Sequence, residues 1–171
     1  MSEITRRNFF KAGGLATAAV AAPIAGLNAS PAAASTDTKT IFEFAKKKIS
    51  NAQSLGNTQA FTYPDSMSPC LLINHDEPVE GGVGPNNNIV AYSTLCTHMG
   101  CPTQYDSNEK VFKCHCHFSV FDAEKSGQVA IGQAIDNLPR ILLDYDESTG
   151  NVTAVGVEGL IYGRQANFIE L

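Results

Sequence analysis

The sequence predicts an all-β protein, and three observations carry that expectation. Charged residues make up only 17% of the 171 residues while glycines number 14, a profile that suits loop-rich β structure better than a helical bundle. Short runs rich in β-branched and aromatic residues are separated by Gly, Pro and Asn turns. Two compact Cys/His boxes fall in loops where such runs end, the place where a rigid scaffold presents function. The length is enough for one domain with a real core.

Residues 1–34 read as an export signal. Thr5-Arg6-Arg7-Asn8-Phe9-Phe10-Lys11 resembles the twin-arginine motif. An Ala/Gly-rich apolar stretch follows from Ala12 to about Leu27, and Ala32-Ala33-Ala34 offers a small-residue cleavage site before Ser35. The apolar stretch is shorter than the roughly 20 residues that span a bilayer, so membrane association is compatible with the chain but not required. Twin-arginine export places the mature protein in the periplasm and carries it folded, with a cofactor already inserted. The formal charge is −5, and removing Arg6, Arg7, Lys11 and Glu3 with the signal makes it −7. No basic stripe is present, so nucleic acid is not an expected partner.

Residues 35–59 read as a linker and a short N-terminal helix. Ile41, Phe42, Phe44, Ala45 and Ile49 mark an apolar side from Ile41 to about Leu55, Lys46-Lys47-Lys48 face solvent, and Gly56-Asn57 ends it. Residues 60–171 form the β domain. Strands are expected at Ala60–Tyr63, stopped by Pro64, and at Cys70–Asn74. A Gly/Pro/Asn loop over residues 78–88 leads to a strand at Ile89–Ser93, which feeds the first box. Lys110–Lys113 feeds the second box, and Ser119–Asp122 leaves it. Ile141–Asp146 and Val152–Val157 flank a turn at residues 147–151 and make a hairpin, and Leu160–Tyr162 adds a last strand.

The boxes read CTHMGC, from Cys96 to Cys101, and CHCHFS, from Cys114 to Ser119. Cys96 and His98 stand as C-x-H, and Cys114 and His117 as C-x-x-H. One thiolate and one imidazole from each box make a mixed Cys/His site for a soft or borderline metal. Zinc sites usually pair C-x₂₋₄-C with H-x₃₋₅-H rather than one Cys and one His in each half. The two further cysteines, Cys101 and Cys116, also need a role. The spacing therefore favours an iron–sulfur cluster over zinc. Gly100 permits a backbone turn close to the cluster. Two neutral imidazoles in place of two thiolates lower the total negative charge, so the reduced form is favoured and the potential rises above that of all-Cys ferredoxins.

The two boxes resemble the Rieske signature C-x-H-x-G-C…C-x-C-H-x-S, over Ile89–Val157. The resemblance implies a Rieske-type antiparallel β-sandwich with a cluster-binding part at about residues 94–140. It implies a [2Fe–2S] cluster with Cys96 and Cys114 on one iron and His98 and His117 on the other. It also implies a disulfide between Cys101 and Cys116, and a third loop, Gly132 to Pro139, packed over the cluster. Ser119 is expected to bond a bridging sulfide. Phe121 stands where high-potential members carry Tyr, so a hydrogen bond to a ligand sulfur is missing and the potential should lie below theirs. His115 stands where Pro is common, and Phe118 where Gly is usual, from which the loop is expected to need no glycine there. Cys70, outside the boxes, is expected to be a buried free thiol.

Segments outside the boxes, TYPDSMSPCLL, GGVGP, GQAIDNLPRI and GLIYGRQANF, resemble the small subunit of bacterial arsenite oxidase. That resemblance implies an electron relay without a substrate site of its own. Its partners would be a large molybdopterin subunit carrying a [3Fe–4S] cluster, and a cytochrome c or cupredoxin acceptor. The alternative is the Rieske subunit of a cytochrome bc-type quinol-oxidising complex, whose usual transmembrane anchor and Tyr at position 121 are both missing. A carrier ferredoxin of ring-hydroxylating oxygenases fits less well, because those lack the disulfide cysteines.

Overall fold

The computed structural model describes residues 40–41, 44–164 and 168–169, so the signal segment 1–34 lies outside the described residues. Twelve strands are described: β1 (Thr40–Ile41), β2 (Lys47–Asn51), β3 (Thr58–Thr62), β4 (Pro69–Asn74), β5 (Ile89–Ser93), β6 (Thr103–Asp106), β7 (Val111–Cys114), β8 (Val120–Asp122), β9 (Gln128–Ile131), β10 (Arg140–Asp146), β11 (Asn151–Glu158) and β12 (Phe168–Ile169). Every pairing is antiparallel, and no helix occurs among the described residues. The base sheet runs β2-β11-β10-β5-β4-β3; a second sheet runs β6-β7-β8-β9; β1 pairs with β12. The second sheet is inserted between β5 and β10, which are neighbours in the base.

The period of two explains why β4 and β5 read as nearly continuous apolar runs. Cys70 and Leu72 on β4, with Ile89 and Ala91 on β5, enter one core with Tyr63, Ile141, Val152 and Ala154. Ile73 on β4, with Val90 and Tyr92 on β5, enters a second core with Phe112, Phe121, Cys96, Cys114 and Leu138. All five residues of β5 are buried. Tyr92 joins the two sheets: its ring meets Phe112 edge-on at 5.7 Å, and its hydroxyl donates to Ala123 O at 2.9 Å. Burying each such large side chain stabilises by about 1.5–3 kcal/mol.

The helix expected over Ile41 to Leu55 is corrected: residues 47–51 are strand β2, paired with β11 from Asn51↔Asn151 to Lys47↔Ala154. The free edge of β11 offers a ladder, and that pairing outweighs local helix propensity. The base sheet also curls until its edges meet. Lys47 Nζ donates to Thr62 O at 2.7 Å, and Gln59 Nε2 to Ile49 O at 3.0 Å. Phe44, Ile49, Ala52 and Leu55 still reach the core, but from strand β2 and the turn and coil that flank it. The last strand expected at Leu160–Tyr162 is a turn instead. Gly159 and Gly163 have φ of 90° and 72°, and Arg164 N donates to Ile161 O at 3.0 Å.

The hairpin β10–β11 forms as expected, around Asp146. Its carboxylate accepts from the Ser148 hydroxyl, the Thr149 hydroxyl and both backbone N–H groups. Those bonds, led by the two hydroxyls, hold the Asp146 carboxyl down at about 2.

Candidate metal centre

Three loops meet at one end of the second sheet. The first spans residues 94–102 between β5 and β6, the second 115–119 between β7 and β8, and the third 132–139 between β9 and β10. The first loop closes on itself, with Cys96 N donating to Cys101 O and Gly100 N to Cys96 O, both at 2.8 Å. The turn needs Gly100, whose φ is 73°. The second loop is a tight reversal in which Cys114 N donates to Ser119 O at 2.8 Å.

The loops are then tied to one another. A disulfide joins Cys101 to Cys116, as the family resemblance implied. Thr97 Oγ1 donates to Asp136 O at 2.7 Å and fastens the first loop to the third. Gly132 lies against the second loop, where a Cβ would come within 2.3 Å of Ser119 Cα. Pro139 ends the third loop buried in the base, its carbonyl accepting from Ser93 N at 2.9 Å.

Within this frame the four expected ligands come together in two pairs. Cys96 and Cys114 are buried neighbours in the second core. His98 and His117 sit at the surface with their Nδ1 atoms 3.2 Å apart and their rings perpendicular. Two nitrogens each about 2.1 Å from one metal, at a near-tetrahedral angle, lie about 3.4 Å apart, so the pair has the span of a shared iron. The Cys114 sulfur lies within 4.8 Å of the Cys101 and Cys116 sulfurs, but those two are bonded to each other, which leaves Cys114 as the free donor.

The Cys96 thiol needs a cation to ionise. Burial pushes the Cys96 thiol up from its ordinary value. The His98 backbone N–H opposes that shift, the Cys114 side chain adds to it, and the Ser119 hydroxyl opposes it. A buried thiol raised in this way ionises readily only when metal charge pairs with it. Ser119 is fully buried, and its Oγ accepts from Gln133 N at 3.1 Å and Ala134 N at 3.0 Å. Both lone pairs are thereby used, and the hydroxyl hydrogen remains to donate toward sulfur. Phe121 packs fully buried in the same core and has no hydrogen to donate. A donor set of buried sulfur and exposed imidazole fits a [2Fe–2S] cluster.

The model of the Rieske [2Fe–2S] domain matches residues 46–141. The chain belongs to the Rieske [2Fe–2S] family. Its cofactor is accordingly a Rieske [2Fe–2S] cluster, which takes up and releases a single electron when bound. A twin-arginine translocation signal matches residues 3–23, and this signal directs the Rieske protein to the periplasm. Iodate reductase subunit IdrB of Denitromonas iodatirespirans is 33% identical over 96% of this chain and 86% of its own length. Its counterpart in Pseudomonas sp. (strain SCT) is 32% identical over 94% of this chain and 82% of its own. The cytochrome bc1 complex Rieske iron-sulfur subunit of Corynebacterium diphtheriae is 42% identical, but over 39% of this chain and 16% of its own length. Among solved structures, the soluble domain of the Rieske protein II (soxF) from Sulfolobus acidocaldarius overlays with a TM-score of 0.62 at 26% identity, covering 72% of this chain and 83% of that one.

Two neighbouring residues depart from the usual family form. His115, where Pro is common, sets its Nε2 3.3 Å from Gln104 Oε1 on β6. Phe118 corrects the expectation that the second loop needs no glycine: its φ is 59°, the left-handed region that glycine favours. A phenylalanine occupies that conformation with its side chain exposed. Cys70 is the expected buried free thiol. Burial pushes it up to about 12, and its Sγ donates to Tyr63 O at 3.3 Å. The Thr97–Asp136 tie and the contact of Gly100 with Tyr162 had no signal in local sequence pattern, because both join distant segments.

Proposed function

We propose that this Rieske protein is the electron-transfer small subunit of a periplasmic arsenite oxidase. Cys96 and Cys114 hold one iron of its cluster, and His98 and His117 hold the other. It takes electrons from a large molybdopterin subunit carrying a [3Fe–4S] cluster and passes them to a cytochrome c or cupredoxin. The protein converts no substrate itself. The observation that carries the relay is the histidine pair at the surface, with the thiols buried behind it. An electron enters or leaves through that exposed edge.

The surroundings of the pair support a subunit partner. Residues 95–105, 114–120 and 129–135 contain no Lys, Arg, Asp or Glu. Met99, Phe118 and Ile135, one on each loop, are 57%, 75% and 93% exposed. A charge-depleted patch with exposed aromatic, Met and aliphatic side chains has the composition of an interface core. The segments outside the boxes support arsenite oxidase in particular, because binding a cluster does not require them.

The 33% identity to an iodate reductase subunit across nearly the whole chain favours a second reading. There the same subunit delivers electrons to a reductase, and the direction of flow is reversed. Purification of the tagged protein from its own periplasm separates these readings. A molybdopterin subunit should copurify, and arsenite should reduce the Rieske cluster in the complex. Reoxidation of the reduced cluster by iodate, without reduction by arsenite, would establish the second reading. Recovery in a quinol-oxidising membrane complex would overturn both.

A further inference from the structure

Tyr162 packs against the first loop. Its Cδ1 and Cε1 would be 2.3 and 2.8 Å from a Cβ built on Gly100, so the ring rests against the Gly100 backbone and only glycine admits it. Gly100 stands between His98 and Cys101, and its N–H donates to Cys96 O at 2.8 Å. A push or a gap at Gly100 therefore reaches a histidine, a cysteine and the disulfide at once.

The ring is mounted on a rigid strap. Ile161 is 4% exposed and belongs to the core inside the base sheet. On the other side, Arg164 Nη2 donates to Met67 O at 2.6 Å and Nε to Ser68 Oγ at 3.0 Å, with Asp65 Oδ2 at 3.4 Å. Tyr162 is thus anchored to the base through both flanks, while its ring covers the cluster loop. None of the four expected ligands lies on this strap.

We propose that Tyr162 is a positioning residue for the cluster, its ring holding the first loop through Gly100 in the conformation that orients His98. This rests on His98 being a cluster ligand. The contact uses ring carbons, so Tyr162→Phe preserves it and Tyr162→Ala abolishes it. With the ring gone, the loop samples several arrangements and water reaches it.

The test uses the holoprotein. Tyr162→Ala should broaden and shift the EPR signal of the reduced cluster, displace the midpoint potential, and speed cluster loss to a chelator several-fold. Tyr162→Phe should match the wild type in all three. Tyr162→Leu serves where the alanine variant does not fold. Gly100→Ala should harm cluster retention by its strained φ and by meeting the ring; in a Tyr162→Ala background the second cause is gone, so the two losses should be less than additive. Unchanged spectrum, potential and cluster lifetime in Tyr162→Ala or Tyr162→Leu, or strict additivity with Gly100→Ala, would overturn the inference. Absence of a Rieske signal from the wild-type holoprotein would instead sink the ligand assignment beneath it.

Discussion

Replacing Ser119 by alanine separates two consequences of one hydroxyl. The Oγ accepts two backbone N–H groups, from Gln133 at 3.1 Å and Ala134 at 3.0 Å, and its own hydrogen is left for sulfur. Reduction adds negative charge to the cluster, so that hydrogen bond strengthens on reduction. A hydrogen bond to a charged group contributes about 1.5–3 kcal/mol. For a single electron, 59 mV corresponds to a tenfold change, about 1.4 kcal/mol, so losing the whole bond lowers the potential by about 60–130 mV. The fall is smaller in proportion to the bond already made to the oxidised cluster. The second consequence is structural: Ala134 is buried, and its orphaned N–H costs about 1–3 kcal/mol of stability. Potentiometric titration followed by EPR, with thermal melting of the same holoprotein, reads both. Ser119→Ala that melts earlier but keeps the wild-type potential would refute the donor role, leaving Ser119 a loop brace.

Phe121→Tyr adds a donor in the core shared with Cys96 and Cys114, and should raise the potential by a similar amount, read by the same titration. Opening the Cys101–Cys116 disulfide, which closes a separation of 15 residues, should cost about 3 kcal/mol in chemical denaturation, with Cys101→Ser/Cys116→Ser as the variant. His75 is buried, and burial lowers its pKa despite Glu124 at 3.9 Å, with Asp76 and Asp122 also raising it and Lys110 lowering it. The unfolded chain therefore binds more protons, and stability is lost as pH falls through the ordinary histidine value of about 6.5. His75→Gln should flatten that part of the stability–pH curve, and an unchanged curve would show that His75 does not drive it.

The chain showed its strands where burial is two-sided or regular. Cys70–Asn74 and Ile89–Ser93 carry enough apolar residues to be read directly, and each lies within a residue of its strand. Asp146 to Asn151 announced its turn through residues that bond their own backbone. Lys47–Asn51 misled because an edge strand with lysines and a solvated helix face share one composition; the free edge of β11 decides between them, and that is a long-range fact. Strands β6 and β9 were not expected, since TQYD and QVAI are short and mostly outside the core. At the metal centre, the spacing of Cys96, His98, Cys114 and His117 marked them as candidate ligands, while their sorting into a thiol pair and an imidazole pair, like the Cys101–Cys116 disulfide, followed from family resemblance. The strained backbone of Phe118 and the seat of Tyr162 on Gly100 depend on how loops cross, which no local pattern encodes.

The central claim is that two buried thiolates and two surface imidazoles hold one [2Fe–2S] cluster. EPR of the dithionite-reduced holoprotein tests it most directly. The account predicts a rhombic spectrum with the low average g of a mixed Cys/His cluster, lost in His98→Ala or His117→Ala and retained in His115→Ala. A silent spectrum from fully metal-loaded protein would point to zinc. A signal that survives loss of either His98 or His117 would contradict the assignment of the surface pair as ligands.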